Sequence, residues 1–447
     1  MAETVSSWRN AFSIYIRPRV LGMILLGFSA GLPFSLTSST LSAWLADEDV
    51  SLAVIGYFSL VGVAYSVKVL WAPVVDQLSL PLFCRWLGKR RGWILGAQIG
   101  IALGLFAMGG LDVHQELTRM VWLAIWVAFC SATQDVAIDA YRIEVVAPEI
   151  QGAMAAMYVF GYRLSLLLAG AGVFYIAEYQ SWSVAYQGMA LAMSVGMAAT
   201  LLAPEPVRMV DERVERLEQS VEIALGVSGA RRLPAKLLRW FSDAVVSPFV
   251  EFFQRNGKNG ARILLLIAVY KMSDIAMGVM ANPFYLDLGF SKKDIADVTK
   301  VFGFFMTIVG TSIGGVLVVR FGIMRPLLFG AVIVAATNLL FAALAMVQPD
   351  IMLLAGVISA DNLSGGIASA AFIAYLSSLT NSAYTATQYA LFSSLMTLPA
   401  KLIGGVSGDL VAQFGYAVFF MYSAVIGVPA IVLAIMLARS ASFGRRN

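Results

Sequence analysis

The sequence holds one histidine and two cysteines in 447 residues, and only 13% of it is charged. Each shortage closes off a class of function. His114 sits in a short loop, Cys84 in a basic loop and Cys130 inside an apolar run, so they offer neither a disulfide framework nor a metal-ligand spacing. An intramembrane enzyme would need a nucleophile with its base, or ligands at an HExxH-like spacing, and a lone loop histidine supplies neither. An ATP-driven pump would need a GxxxxGK[ST] loop, and none occurs. No cleavable signal peptide is expected: Arg9, Arg17 and Arg19 precede an apolar segment too long for a signal h-region, which reads as an anchor that stays in the protein.

What fills the chain instead is hydrocarbon. It is 59% hydrophobic with a mean hydropathy of +0.79, and soluble domains carry about 25% charge, roughly twice what is found here. Apolar runs of about 20 residues recur along nearly the whole length, the mark of a polytopic helical membrane protein. A β-barrel would show alternating segments of about ten residues, which are absent. Twelve spans are expected, at 20–45, 51–77, 92–111, 117–145, 150–177, 182–203, 261–287, 291–319, 326–347, 350–377, 383–412 and 416–438. Lys and Arg gather on one side, among them Arg85, Lys89, Arg90, Arg91, Arg320, Arg325 and Arg439, while Asp47, Glu48, Asp49, Asp112 and Glu116 mark the other. That bias places both termini in the cytoplasm. It also explains a net charge of +4 without nucleic acid.

Residues 204–260 form the only sizeable soluble piece. ERVERLEQSVEIAL reads as a charged helix, and PAKLLRWFSDAVVSPFVEFFQRNGKNG as an amphipathic one lying on the inner membrane face. The expected organisation is a six-helix bundle at 1–203, this linker, and a second bundle at 261–447. The halves echo each other, as in transporters built from repeats. Leu32-Pro33-Phe34 answers Asn282-Pro283-Phe284, Ser51 and Ile55 answer Ser291 and Ile295, Ala140-Tyr141 answers Ala374-Tyr375, and Arg163 answers Lys401.

The chemistry lies in the charges inside apolar segments. In VAFCSATQDVAIDAYRIEVV, Asp135, Asp139 and Arg142 fall at i, i+4 and i+7 on one helix face. A charge at the bilayer centre costs about 2.5–3.5 kcal/mol on insertion scales, so this face looks at protein or water. Two carboxyls one turn apart repel, and a carboxyl able to take up a proton is what coupling to a proton gradient needs. The competing reading is a static network with Arg142 or Arg163. Lys271 and Asp274 share a face of the seventh span, either as an internal pair or facing a cavity; Asp361-Asn362 lie mid-membrane in the tenth. Lys68 either snorkels or binds ligand. Asp76 precedes GKRRGW, so a charge-assisted bond to Arg90 or Arg91 is expected, either as a moving gate or as a fixed clasp. GGVLVVRFG repeats the glycines and Arg320 but has no matching Asp. Pro33 and Pro283 each break a helix at the same relative place.

With both signs of charge, several amides, and tyrosines that include Tyr158, Tyr162 and Tyr270, the interior suits a large polar zwitterionic or anionic solute. A cation channel would show one sign. LLGFSAGLPFSLTSSTLSAWL, IGYFSLVGVAYSVKVLWAPVVD, GKRRGW, SATQDVAIDAYRIEVV, GYRLSLLLAGAG and LAPEP together resemble the AmpG family of muropeptide permeases, within the peptide and acetyl-coenzyme-A transporter branch of the major facilitator superfamily. The resemblance is dense over the first half and looser over the second. It implies a fold of twelve helices in two pseudo-symmetric halves. It also implies import of GlcNAc-anhydroMurNAc, with or without peptide, by proton symport without a cofactor, for peptidoglycan recycling and β-lactamase induction. Gly31, Lys68, Asp76, Gln134, Asp135, Asp139 and Arg163 are the motif positions it marks.

The combined expectation assigns substrate binding to Gln134, Arg163, Lys271, Asn362, Lys68 and Tyr162. Proton coupling falls to Asp135, Asp139, Asp274 or Asp361, and gating to Asp76, Arg90, Arg91, Gly31, Pro33 and Pro283, in a protein acting as a monomer. An acetyl-coenzyme-A carrier of the same branch is the alternative, though its cavity should be richer in Lys and Arg than in acids. A non-transporting receptor is the alternative from another class.

Overall fold

The computed structural model of the protein describes residues 13–50, 58–206, 216, 220, 245–405 and 407–443. The charged helix expected after residue 206, the start of the second span with Ser51 and Ile55, and the side chains of Asn282, Lys300 and Lys401 lie outside the described set.

The spans form as helices because their apolar runs leave backbone groups no other partner in hydrocarbon. The first is Pro18–Leu36 continued by Ser39–Asp47; the third, fourth and sixth are Lys89–Gly109, Val113–Glu144 and Trp182–Leu202. The fifth runs through Gln151–Leu167, a π turn at Leu168–Gly172, and Val173–Tyr179. After the linker come Gly260–Tyr270 with Met272–Asp287, then Gly303–Phe321, Met324–Leu344 and Ile351–Ser378. Thr385–Gly405 and Ser407–Ile426 follow, with a break at Gly415 (φ 76°) that separates the eleventh span from the twelfth, and Val428–Phe443 completes the latter. Ten stretches among the described residues are long and apolar enough to cross a membrane. The second span is broken into Ser59–Gly62, Val63–Val67, Lys68–Leu70 and Ala72–Gln77.

Helix starts on the acidic face are capped as their residues dictate. Asp112 accepts from the His114 N–H, Ser181 from Val184, and Asp350 from Met352 and Leu353. On the basic face Glu205 of LAPEP takes the N–H groups of Arg90 at 2.8 Å and Arg91 at 3.1 Å, which starts the third span. The chain reaches that point through Gly88 at φ 89°, where a side chain would also run into the Glu205 carboxylate.

The kinks fall elsewhere than the prolines suggested. The first span bends at Thr37–Ser38, where the Thr37 hydroxyl satisfies the Pro33 carbonyl at 2.8 Å. The seventh passes through Pro283 and is interrupted at Lys271 instead. Lys68 also stands at a junction, opening a 3-10 turn. Lys68 and Lys271 thus both sit where the regular helix is interrupted.

Gly31 sits at a close helix crossing. A Cβ there would strike Ser165 and Tyr162, and one on Gly161 would enter the backbone of Ile24. These glycines let the first and fifth spans cross at close range.

The halves meet at one end. Two apolar clusters near the acidic face each come from a single half, one spanning Leu32 to Met193 and the other Met277 to Phe420. Toward the basic face the clusters mix: Val316, Val319, Ala386 and Ala390 pack with Ile14, Val75, Ile138 and Met154. There the fifth and eighth spans approach so closely that a Cβ on Gly152 would lie 2.9 Å from the Val318 side chain, and the Tyr15 hydroxyl donates to the Ser312 carbonyl at 2.8 Å.

A Gly161→Ala change should lower the thermal midpoint in detergent by several degrees, as overpacking costs about 1–3 kcal/mol. Gly170→Ala, where nothing lies within 4 Å of the added carbon, should leave it unchanged. Equal midpoints for the two variants would remove the close crossing as a constraint.

Candidate functional site

The fourth span supplies the centre. Its Asp135 and Asp139 flank one cation, with Lys68 Nζ 3.9 Å from Asp135 Oδ2 and 4.0 Å from Asp139 Oδ2. Lys68 does not snorkel out; its side chain is 12% exposed. Asp139 also meets Arg142 at 3.4 Å. Arg142 is wholly buried, binds Gln151 at 3.1 Å, and reaches across to Ser377 Oγ in the second half at 3.0 Å. Its guanidinium lies 5.3 Å from the ring centre of Tyr389. One carboxyl therefore answers to two cations, one of which ties the halves together.

Asp135 keeps an unused oxygen. Among the described residues its Oδ1 is buried without a hydrogen-bond partner, beside the hydroxyls of Tyr65 and Ser131. Buried polar atoms are nearly always bonded, so such a group marks a place for a proton, water or ligand. Tyr158 and Tyr162 stand over the same carboxyl with ring centres 6.1 Å apart.

A second charged group lies in the other half. Lys271 Nζ bonds Asp274 Oδ2 at 2.7 Å and Ser369 Oγ at 2.9 Å, and Asp361 stands within electrostatic reach of both ionised partners. Arg163 follows Tyr162 on the fifth span and lies within electrostatic range of Asp274 in the other half. Each half thus holds one lysine–carboxylate group in the membrane interior, Lys68 with Asp135 and Asp139 in the first and Lys271 with Asp274 in the second.

Not every expected residue belongs to it. Gln134 is fully buried inside the first half, donating to Ser29 Oγ at 3.0 Å beside Gln98. Asn362 is engaged at both ends of its amide, accepting from Thr307 at 2.7 Å and donating to the Ile358 carbonyl at 3.0 Å. Asn362 thus serves a helix crossing, whereas Gln134 bonds Ser29 through its nitrogen and keeps a buried Oε1 without a partner among the described residues. Sequence spacing shows that such amides lie in the membrane, and not which way they turn.

The basic end is shut by Asp76. Its Oδ1 takes Arg90 Nη2 at 2.8 Å and the Ala386 N–H at 3.2 Å, while Oδ2 takes the Thr387 N–H at 2.6 Å and hydroxyl at 2.7 Å. A carboxylate of the first half thus caps the N-terminus of Thr385–Gly405 in the second, where the helix dipole favours an anion. Arg90 is also paired with Glu144, at 2.6 Å. Lys89 donates to the Asp76 carbonyl. Arg91 takes no part; it binds the carbonyls of Thr200 and Leu201 at 2.9 and 2.5 Å and closes the sixth span. Outside this latch lies a cavity of about 1020 Å³, lined by Arg17, Arg19, Lys89, Arg90, Glu144 and Glu205 among others. Sequence reading missed Tyr389 and the first turn of the eleventh span. A backbone N–H carries no signature in sequence, and the Thr385–Gln388 polar run was the available clue.

The family model of the Major Facilitator Superfamily matches residues 23–404. The chain belongs to that superfamily. It is 36% identical over 436 residues to the anhydromuropeptide permease of Escherichia coli (strain K12), covering 97% of this chain and 82% of that one. It is 32% identical over 421 residues to the transporter AmpG 4 of Rickettsia conorii, covering 94% and 96%. Among solved structures it is similar to the superfamily's proton:xylose symporter XylE bound to 6-bromo-6-deoxy-D-glucose, with a TM-score of 0.62, 16% identity and 94% of each chain covered. The human organic anion transporter MFSD10 (TETRAN) gives 0.58 and 12%, over 96% and 99%. These two likenesses concern the fold. The superfamily relatives are permeases and transporters, and this chain is not an enzyme.

Removing the shared cation should strand the buried Asp135 carboxyl and leave Asp139 to Arg142 alone. Lys68→Ala is expected to cost on the order of 3 kcal/mol of stability, as for other broken buried pairs. Adding Asp135→Asn and Asp139→Asn should recover part of that loss. Thermal unfolding of the variants checks this, and a single Lys68→Ala with an unchanged midpoint would show the pair to be energetically idle.

Proposed function

We propose that the chain imports anhydromuropeptides, GlcNAc-anhydroMurNAc with or without peptide, across the inner membrane by alternating access coupled to protons. The observation that carries the reading is that the halves interlock toward the basic end, with Asp76 of the first on a helix start of the second, while each half holds a lysine–carboxylate group in the membrane interior. The permease of Escherichia coli, at 36% identity over 97% of this chain, supplies the substrate class. With the basic face and both termini in the cytoplasm, the Asp76 latch holds the inner end closed and leaves the halves apart at the periplasmic end. The moving units are 1–203 and 261–447, with 204–260 between them.

In this reading Arg163 holds an anionic group of the substrate, such as a peptide or lactyl carboxylate, in competition with Asp274. Tyr162 and Lys271 line the same path. The unused oxygen of Asp135 receives the proton. Neutralising Asp135 would leave Lys68 to Asp139 alone, the carboxylate that also holds Arg142, and Arg142 is the cation that spans to Ser377. Proton uptake is thereby linked to a contact that must break for the inner end to open.

Uptake of labelled GlcNAc-anhydroMurNAc-tripeptide into oriented vesicles tests the whole. Accumulation should follow an inward proton gradient and collapse with an uncoupler; accumulation indifferent to both would refute the coupling. Asp135→Asn should abolish gradient-driven uptake while substrate binding persists. If it accumulates substrate normally, Asp135 has no part in the coupling. Arg163→Ala should weaken binding about tenfold or more, the scale of one charge-assisted hydrogen bond. An unchanged affinity would leave Arg163 a scaffold residue.

A further inference from the structure

The segment between the halves ends in a helix that touches the turn carrying the latch contacts. Ser247–Asn256 is a helix starting with Pro248 in its first turn, and its buried face is Ser247, Pro248, Glu251 and Phe252. Phe249 and Phe253 are exposed, so the helix lies with aromatic side chains facing outward, as an interfacial helix does. Its inward face carries a carboxylate. Glu251 is 7% exposed, and a buried carboxylate persists only where donors surround it.

The donors come from the turn between the tenth and eleventh spans. Glu251 Oε1 accepts from Asn381 Nδ2 at 2.9 Å, and Oε2 from Gln388 Nε2 at 2.8 Å. Gln388, 1% exposed, also donates to the Pro248 carbonyl at 2.9 Å and accepts from the Asn381 N–H at 2.7 Å. Arg255 lies 3.0 Å from Glu251 and donates to the Leu379 carbonyl at 2.5 Å, placing a cation at the C-terminal end of Ile351–Ser378. Phe252 packs on Phe392 with ring centres 5.4 Å apart. Gln388 directly follows Thr387, whose N–H and hydroxyl bind Asp76. The first turn of the eleventh span is therefore held by two carboxylates from opposite sides, Asp76 from the first half and Glu251 from the linker.

The two grips differ in kind. Asp76 must let go when the halves rock, whereas Glu251, Arg255 and Phe252 all bind elements of the second half and can travel with it. We propose that the linker helix Ser247–Asn256 is a brace for the latch, and that Glu251 is a positioning residue that presents the N–H groups of Ala386 and Thr387 to Asp76. The linker then sets the balance between the two ends of the transporter, besides connecting them. This rests on reading the Asp76 contact as a gate.

The test uses the full chain in proteoliposomes, with Cys84→Ser and Cys130→Ala as background and one reporter, Ala390→Cys. Ala390 is 1% exposed and lies one turn beyond the latch contacts. An impermeant maleimide applied to the basic face reads how often that end opens. Glu251→Gln keeps the shape but turns an amide donor toward donors, and is expected to raise the labelling rate about tenfold, the worth of one charge-assisted bond. Asn381→Ala, which removes one donor from the turn, should raise it about threefold and serves if Glu251→Gln is not recovered folded. Asp76→Asn should raise it as well, and adding Glu251→Gln to it should give no further increase, because the brace acts through Asp76. Increases that multiply in the double variant would overturn the brace. So would Glu251→Gln and Asn381→Ala both labelling at the parent rate while Asp76→Asn labels faster. If Asp76→Asn itself labels at the parent rate, the gate reading fails, and the brace with it.

Discussion

One carboxylate decides which way the molecule faces. Asp76 is buried, with 3% of its surface exposed, and its partners come from both halves. From its own half it takes a guanidinium; from the other it takes two backbone N–H groups and a hydroxyl at a helix start. Each contact alone is modest, and a charge-assisted bond contributes about 1.5–3 kcal/mol. Together they form where a helix N-terminus, a guanidinium and an anion converge in a site closed to water, so breaking them without a substitute is costly. The joined basic end, the mixed apolar cluster of Val316 and Ala390 with Val75, and the separation at the acidic end all accompany this contact.

The same electrostatics explain why the interior charges occur in balanced groups. Lys68 sits between two acids, Asp139 between two cations, and Asp274 between Lys271 and Arg163. An isolated charge in such a place would be prohibitive, and a fixed pair would be inert. A group shared between two partners can release one and keep the other, so moving a proton or admitting an anion rearranges the set without stranding any member. Lys68 and Lys271 at helix interruptions fit this use, because an irregular backbone inside a membrane is tolerated where protein surrounds it.

Much of this was legible in the chain itself. Apolar length set the spans, and most described helix ends fall within a few residues of expectation. The i, i+4, i+7 spacing put Asp135, Asp139 and Arg142 on one face, and Asp76 beside GKRRGW announced its guanidinium partner. The misreadings share one cause. Whether Gln134 turns toward Ser29, Asn362 toward Thr307, or Arg91 toward Thr200 depends on helix rotation and neighbours hundreds of residues away, and a single apolar helix with little amphipathic contrast carries no such information. Pro33 and Pro283 misled for a related reason: proline removes one donor, but a hydroxyl such as that of Thr37 can shift the bend to its own position.

The two halves repeat one another in backbone and diverge in charge, and the divergence makes the latch one-sided. Gly88 at φ 89° and Gly322 at φ 74° introduce the third and ninth spans in the same left-handed conformation. The first half loads this turn with Lys89, Arg90 and Arg91 and faces it with Asp76, Glu144 and Glu205. In the second, Arg320 meets no acid among the described residues, and its guanidinium rests 5.4 Å from the ring centre of Phe321. The second half contributes a helix N-terminus instead, and a helix N-terminus must be aimed to be useful. A symmetric pair of acid-and-arginine clasps would have needed nothing more. A single clasp against a backbone end needs that end held in place, which is the physical reason for a carboxylate buried in the linker beside it.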